Sequence, residues 1–217
     1  MTNTKKVLLL ILCAVFLIGT TVMGTLAWLT DRETVTNTMT VGKVDITVDE
    51  AKVDLNGIAI PDAERVQTNE YKMNPGQIYT KDPTMTVAGD SEEAYVRMLL
   101  TISCKNELDA IFAPDGVDLT TIFKGYEKDI WVFTKETVGA ANTVTYEFRY
   151  KETVKPNGEN VVLPALFTSF TVPGELDGED LESIKNLTIT VEGHAIQAAG
   201  FDTDDLAWAA FNTQNNA

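Results

Sequence analysis

Tyr95-Val96-Arg97-Met98-Leu99-Leu100-Thr101-Ile102-Ser103-Cys104 is the stretch on which the fold turns. Val96, Met98, Leu100, Ile102 and Cys104 fall on one alternate set, and Tyr95, Arg97, Leu99, Thr101 and Ser103 on the other. A period of two separates an apolar face from a mixed one, which is the pattern of a core β-strand. Free cysteine behaves as a small buried hydrophobe, so Cys104 is expected in the core at the end of this strand.

Working outward, the same alternation recurs. Val44, Ile46 and Val48 alternate with Lys43, Asp45, Thr47 and Asp49. Gln77 to Val87 reads as a strand broken by Pro83, because proline cannot donate to a ladder. Ile130-Trp131-Val132-Phe133 is a dense apolar strand, and Val144, Tyr146, Phe148 and Tyr150 alternate with polar neighbours. Val161 to Val172 gives one or two strands around Pro164, and Leu187, Ile189 and Val191 begin another. Asn56-Gly57, Asn74-Pro75-Gly76 and Lys155-Pro156-Asn157-Gly158 punctuate these runs as turns. Glu107 to Phe112 is expected as a short helical turn and Glu175 to Asp180 as an acidic loop. Asp202 to Asp205 offers acidic caps for a short C-terminal helix over Leu206 to Phe211, with Asn212 onward fraying. Short strands in close succession, with no long helices between them, predict an all-β antiparallel sandwich rather than a parallel α/β sheet.

The N-terminal end follows a different rule. Lys5 and Lys6 precede Val7 to Met23, seventeen uncharged and mostly apolar residues, followed by Gly24-Thr25-Leu26-Ala27. A basic start, an apolar core and a small-residue exit make a secretory signal peptide, with cleavage expected between Ala27 and Trp28. An uncleaved anchor is the alternative, but a membrane span takes about 20 apolar residues. Cys13 follows Leu12, not the small residue that a lipid-attachment site requires. The expected organisation is therefore a signal peptide over 1–27 and one sandwich domain over 28–217, opening with an extended segment over 28–42. In that segment Leu29, Val35, Met39 and Val41 share one alternate set, and threonines fill most of the other.

The junction Gly24-Thr25-Leu26-Ala27-Trp28-Leu29-Thr30-Asp31-Arg32-Glu33-Thr34, with Asn37-Thr38-Met39-Thr40-Val41-Gly42-Lys43-Val44-Asp45-Ile46, resembles the start of the TasA/camelysin family. Lys72 to Pro83 and His194 to Phe201 look similar to stretches in members of the same broad group. The resemblance covers about the first fifth of the chain closely, and residues 106 to 183 match no pattern of the family. It implies export through a SipW-type signal peptidase, a jelly-roll-like sandwich, and a place in the extracellular matrix or on the surface of a Gram-positive bacterium. It also implies a fibre subunit that associates with itself or with other matrix proteins. Because camelysin-type relatives have been classed as metalloproteases, it raises an enzymatic alternative as well.

Charge and chemistry narrow these options. The 217-residue chain carries a formal net charge of −15, and loss of Lys5 and Lys6 would make it more acidic by two. Such a charge disfavours nucleic acid and anionic membrane surfaces, so membrane contact is expected only before signal cleavage. With Cys13 removed, Cys104 stands alone and no internal disulfide can form, which suits Gram-positive export. A catalytic zinc site needs three protein ligands, commonly two of them histidines. The chain has one histidine, His194, two residues after Glu192 and on the same strand face. No nucleophile elbow, papain-like cysteine neighbourhood or phosphate loop is present, and the acids of 175–180 lack the spacing of an EF-hand. No catalytic residue, metal ligand or cofactor is therefore expected.

A structural fibre protein is the leading reading, and a surface binding module or adhesin that never polymerises is its alternative. In the first, the segment Trp28 to Val41, through Leu29, Val35, Met39 and Val41, adds to an open sheet edge of a neighbouring subunit. The competing placement of that segment is as an ordinary strand of its own domain.

Overall fold

A computed structural model of the chain describes residues 43–215 except Pro114 and Gly116. Ala27, Trp28, Leu29, Val35, Met39 and Val41 therefore lie outside the described residues. Ten strands and four helices occur among those described. In order they are β1 (Ile46–Asp49), β2 (Ile78–Thr80), β3 (Thr84–Val87), β4 (Ala94–Ile102), α1 (Lys105–Ile111), α2 (Leu119–Ile122), β5 (Phe123–Lys124), β6 (Trp131–Gly139), β7 (Thr143–Tyr150), β8 (Val161–Val162), β9 (Ser169–Thr171), α3 (Gly178–Ser183), β10 (Ile189–Gln197) and α4 (Asp204–Asn215). All strand pairings are antiparallel, in three sheets ordered β10-β4-β7-β6, β1-β3-β8 and β2-β9-β5.

β4 sits inside the four-stranded sheet, where its alternation is used on both sides. Met98 faces Phe148, Leu100 faces Tyr146 and Ile102 faces Val144 across β7. Across β10, Leu100 faces Val191 and Met98 faces Gly193. These inward side chains join Met85 and Val87 of β3, Tyr79 of β2, Phe123 of β5 and Phe170 of β9 in one continuous core. The sheets are therefore packed together face to face, as alternation on one buried side requires. One close approach between strands of different sheets is at Gly193. A Cβ built there would lie 2.4 Å from Val48 Cγ2 and 2.7 Å from Met85 Cε, so only a hydrogen fits between β10 and the β1-β3 pair.

Local chemistry explains several boundaries. Lys81-Asp82-Pro83 separates β2 from β3, in keeping with the proline. Asp177 accepts from the backbone N–H groups of Glu179 and Asp180, while Asp180 accepts from Asp177 N–H, so the expected acidic loop is instead a capping box that starts α3. Cys104 lies two residues beyond β4, half-buried, with φ of 56° at the start of α1, rather than on the strand face. The dense apolar run Ile130 to Phe133 opens β6, which lies at an edge of its sheet among the described residues. Trp131 is buried while Val132 and Phe133 are exposed, and the pairing with β7 shifts register between Phe133 and Lys135. A bulge of this kind blunts an open edge against stray pairing. The C-terminal helix runs to Asn215, beyond Phe211, because Asn212 has a partner on the sheet.

Among the described residues no helix is long and apolar enough to cross a membrane.

Candidate functional site: a cleft beside a free strand edge

Among the described residues β10 is hydrogen-bonded to β4 alone, and no strand pairs with its other edge. Beside the first half of that edge lies a cleft of about 570 Å³. Its lining takes Leu187 to Val191, Val48 to Glu50, and Val66 to Tyr71 with Met73 from the irregular segment between β1 and β2. Phe170 and Pro83 contribute to the lining. A second, almost wholly apolar hollow of about 50 Å³ shares Met73, Phe170, Leu187 and Ile189 with the cleft and reaches Ile102, Leu108 and Phe123. Its lining is continuous with the core.

The stretch Lys72 to Pro83 lends Met73, Lys81 and Pro83 to the lining, and its other residues brace it from behind. Tyr79, fully buried, donates its hydroxyl to Lys72 O at 2.7 Å and accepts from Asn74 N–H at 2.7 Å, and its ring stacks on Phe170 at 4.9 Å. Asn74 Nδ2 donates to Gln77 Oε1 at 2.8 Å, and Gly76 takes φ of 72°, which glycine adopts without strain. Lys81 and Glu50, 7% and 5% exposed, form an ion pair of 2.7 Å at the cleft lining. Asn69 Nδ2 adds a 3.0 Å bond to the other oxygen of Glu50. A buried pair stabilises only when both ions have good partners, and this geometry provides them. Tyr71 lies at the same lining, where burial and the charge of Glu50 push its hydroxyl well above the ordinary tyrosine range.

His194 and Glu192 do share a face, the one directed away from the core. Glu192 Oε1 lies 2.9 Å from His194 Nε2. The partner that the strand pattern does not reveal is Arg97. It sits directly across from His194 on β4 and donates from Nε and Nη2 to His194 Nδ1 at 3.2 and 3.1 Å. Arg97 is 4% exposed although it belongs to the outward set of β4, because α4 covers it. The guanidinium carbon lies 4.3 Å from the Trp208 ring centre and 5.1 Å from that of Phe211, and Nη2 donates to Asn212 Oδ1 at 2.8 Å. Burial pulls the guanidinium below its ordinary proton affinity, and Glu147, at 3.3 Å, opposes that pull. Nearby, Arg149 holds Glu147, Asp204 and Asp205 at 2.7, 2.9 and 2.6 Å. Burial acts against its charge, but the bonds to Asp205, Glu147 and Asp204 outweigh burial and hold it above the ordinary value. Trp208 Nε1 is buried without a hydrogen-bond partner among the described residues, a cost of about 1–3 kcal/mol.

Among the described residues no group of three or more His, Cys, Asp or Glu side chains is arranged to hold a metal ion. The Glu192–His194 pair is instead part of the seat of α4. Searches of family models, curated proteins and solved structures find no match to this chain.

Proposed function

We propose that this is a secreted structural protein of a Gram-positive extracellular matrix. In this reading the chain is exported with a signal peptide cut between Ala27 and Trp28 by a SipW-type peptidase. The domain is a jelly-roll-like sandwich, and subunits associate when the Trp28 to Val41 segment of one copy enters the cleft of another. The observation that carries the proposal is the cleft itself: a cavity of about 570 Å³ lined in part by Ile189 to Val191 of β10, a strand whose second edge has no partner among the described residues, and sharing Met73, Phe170, Leu187 and Ile189 with an apolar hollow. An extended segment there gains backbone hydrogen bonds, each about 0.5–1.5 kcal/mol net, and buries alternate apolar side chains at about 25 cal/mol per Å². Leu29, Val35, Met39 and Val41 supply such a set. Further support comes from the resemblance of residues 24–46 to the TasA/camelysin pattern.

The test compares protein beginning at Trp28 with protein beginning at Gly42, by size-exclusion chromatography and electron microscopy. The longer form is expected to assemble and the shorter to stay monomeric and folded. An unfolded shorter form would instead make the segment a strand of its own domain. A monomeric longer form that captures an extended peptide of another surface protein would favour the adhesin.

A further inference from the structure

The seat of α4 contains the only histidine of the chain, and its hydrogen bonds fix the protonation state that the seat accepts. Arginine has donors and no acceptor, so a nitrogen that receives two guanidinium N–H groups must present a lone pair. His194 Nδ1 receives Arg97 Nε and Nη2. The ring proton must then reside on Nε2, donated to Glu192 Oε1. A proton added at Nδ1 destroys both bonds and sets two cations about 3 Å apart.

The charged groups around the ring come from four elements. Arg97 stands on β4, Glu147 and Arg149 on β7, Glu192 on β10, and Asp204 and Asp205 on α4. Glu192 would favour an imidazolium, but it is two-thirds exposed and screened by water. Arg97 is buried, so its repulsion is not screened in the same way. Glu147 already serves both arginines, and Asp204 and Asp205 are engaged by Arg149. The unfavourable contact with Arg97 therefore decides the outcome.

Either escape disrupts the helix. Phe211 stacks on the His194 ring at 4.7 Å, while Trp208 and Phe211 pack on the Arg97 guanidinium. Displacing His194 removes the support of Phe211, and displacing Arg97 removes that of Trp208, Phe211 and Asn212. Release also returns the unpartnered Trp208 N–H to water.

We propose that His194 is a proton-operated latch: when neutral it holds α4 against the outer face of the β10-β4-β7 sheet, and when protonated at Nδ1 it releases the helix. The seated state excludes a proton that the released state accepts. Acid therefore works against docking, through the two guanidinium bonds that a proton on Nδ1 would replace.

The test uses full-length protein labelled with 5-fluorotryptophan, its three indole signals assigned by replacements such as Trp208→Phe. Fluorine NMR is recorded from about pH 8 to about pH 5, alongside the ring-proton shifts of His194. The Trp208 signal is expected to move to a solvent-exposed position with the same midpoint as the His194 ring, while the buried Trp131 signal stays in place. In His194→Gln, whose amide oxygen can accept from Arg97 but takes no proton, the Trp208 transition should vanish. The latch is overturned by a Trp208 signal that is constant across the range, or by a midpoint different from that of the ring. It is equally overturned by an unchanged transition in His194→Gln. If His194→Gln does not fold, the comparison of midpoints in the unmodified protein decides alone.

Discussion

Replacing Gly193 by alanine probes a close contact between β10 and the β1-β3 pair. The new methyl would meet Val48 Cγ2 at 2.4 Å and Met85 Cε at 2.7 Å, with Ile46 Cδ1 at 3.6 Å. Both short distances are well inside van der Waals contact. Met85 is flexible by chemistry but fully buried, so its methyl has little room to move. Val48 is β-branched with few rotamers, so relief requires a shift of β1 itself. Overpacking of this type costs about 1–3 kcal/mol. Loss of glycine freedom in the unfolded chain offsets about 0.4–1 kcal/mol. The net expectation is a loss of about 1–2 kcal/mol, or a fall in Tm of roughly 2–4 °C for each kcal/mol in a domain of this size. Urea unfolding and calorimetry of Gly193→Ala, Val48→Ala and the double variant measure it. Val48→Ala alone removes up to two buried methyl groups, at about 0.8 kcal/mol each. In the double variant the alanine at 193 occupies part of the space Val48 vacates, so the two losses should fall short of their sum by at least about 0.5 kcal/mol. A Gly193→Ala protein as stable as the parent, or strict additivity, would refute this packing.

Two further outcomes follow from the same structure. Lys81→Met leaves the Glu50 carboxylate buried without its cation and should cost about 3–5 kcal/mol in urea unfolding, whereas Lys81→Met with Glu50→Gln should recover most of that loss; equal losses in the single and double variants would count against a coupled pair. Burial, aided by the charges of Glu136 and Asp109, raises the Tyr146 hydroxyl to about 12. Its contribution to stability is therefore present below the ordinary tyrosine value near 10 and lost as pH rises from there toward 12. Alkaline unfolding followed by circular dichroism should move to higher pH in Tyr146→Phe.

The sequence makes the inward half of the fold legible because burial on one sheet face imposes a period of two. Val96, Met98, Leu100 and Ile102, and Val144, Tyr146 and Phe148, take the core positions that their alternation predicts. The outward half follows no such rule. Arg97 belongs to the polar set and is nonetheless buried, because Asn212, 115 residues away in sequence, and its helix cap it. The Glu192–His194 pair could be read from spacing alone, whereas the guanidinium that completes it comes from a neighbouring strand whose register only the folded sheet defines. Ile130 to Phe133 carries the hydrophobicity of an interior strand, but edge or interior is a property of pairing order and not of composition. The cleft was the least legible feature of all. It borders a strand edge that has no partner among the described residues, and an unmade contact leaves no periodic mark on the residues around it.

The end of the described chain bears on how that cleft would be filled. Glu92 N–H donates to Lys43 O at 2.9 Å, and Ala198 N–H donates to Glu93 O at 2.7 Å. Lys43 therefore lies beside the end of β10, where Gln197 pairs with Ala94, whereas the cleft borders the beginning of β10 at Leu187 to Val191. The distance along the strand from Val191 to Gln197 is about 20 Å, at roughly 3.3 Å per residue. The fifteen residues from Trp28 to Gly42 reach about 50 Å when extended, so length forbids neither placement. Direction separates them. Within its own molecule, a segment that turned back directly at Lys43 would run parallel to β10. Entering another molecule, it needs no reversal and is free to take the antiparallel pairing found throughout this fold, the more stable of the two per residue. The repulsion between strongly acidic copies works against the second arrangement and is screened by salt over about 8–10 Å. Under the proposed assembly, exchange of the segment between copies is therefore expected to need high ionic strength, because the charge of −15 per chain opposes it.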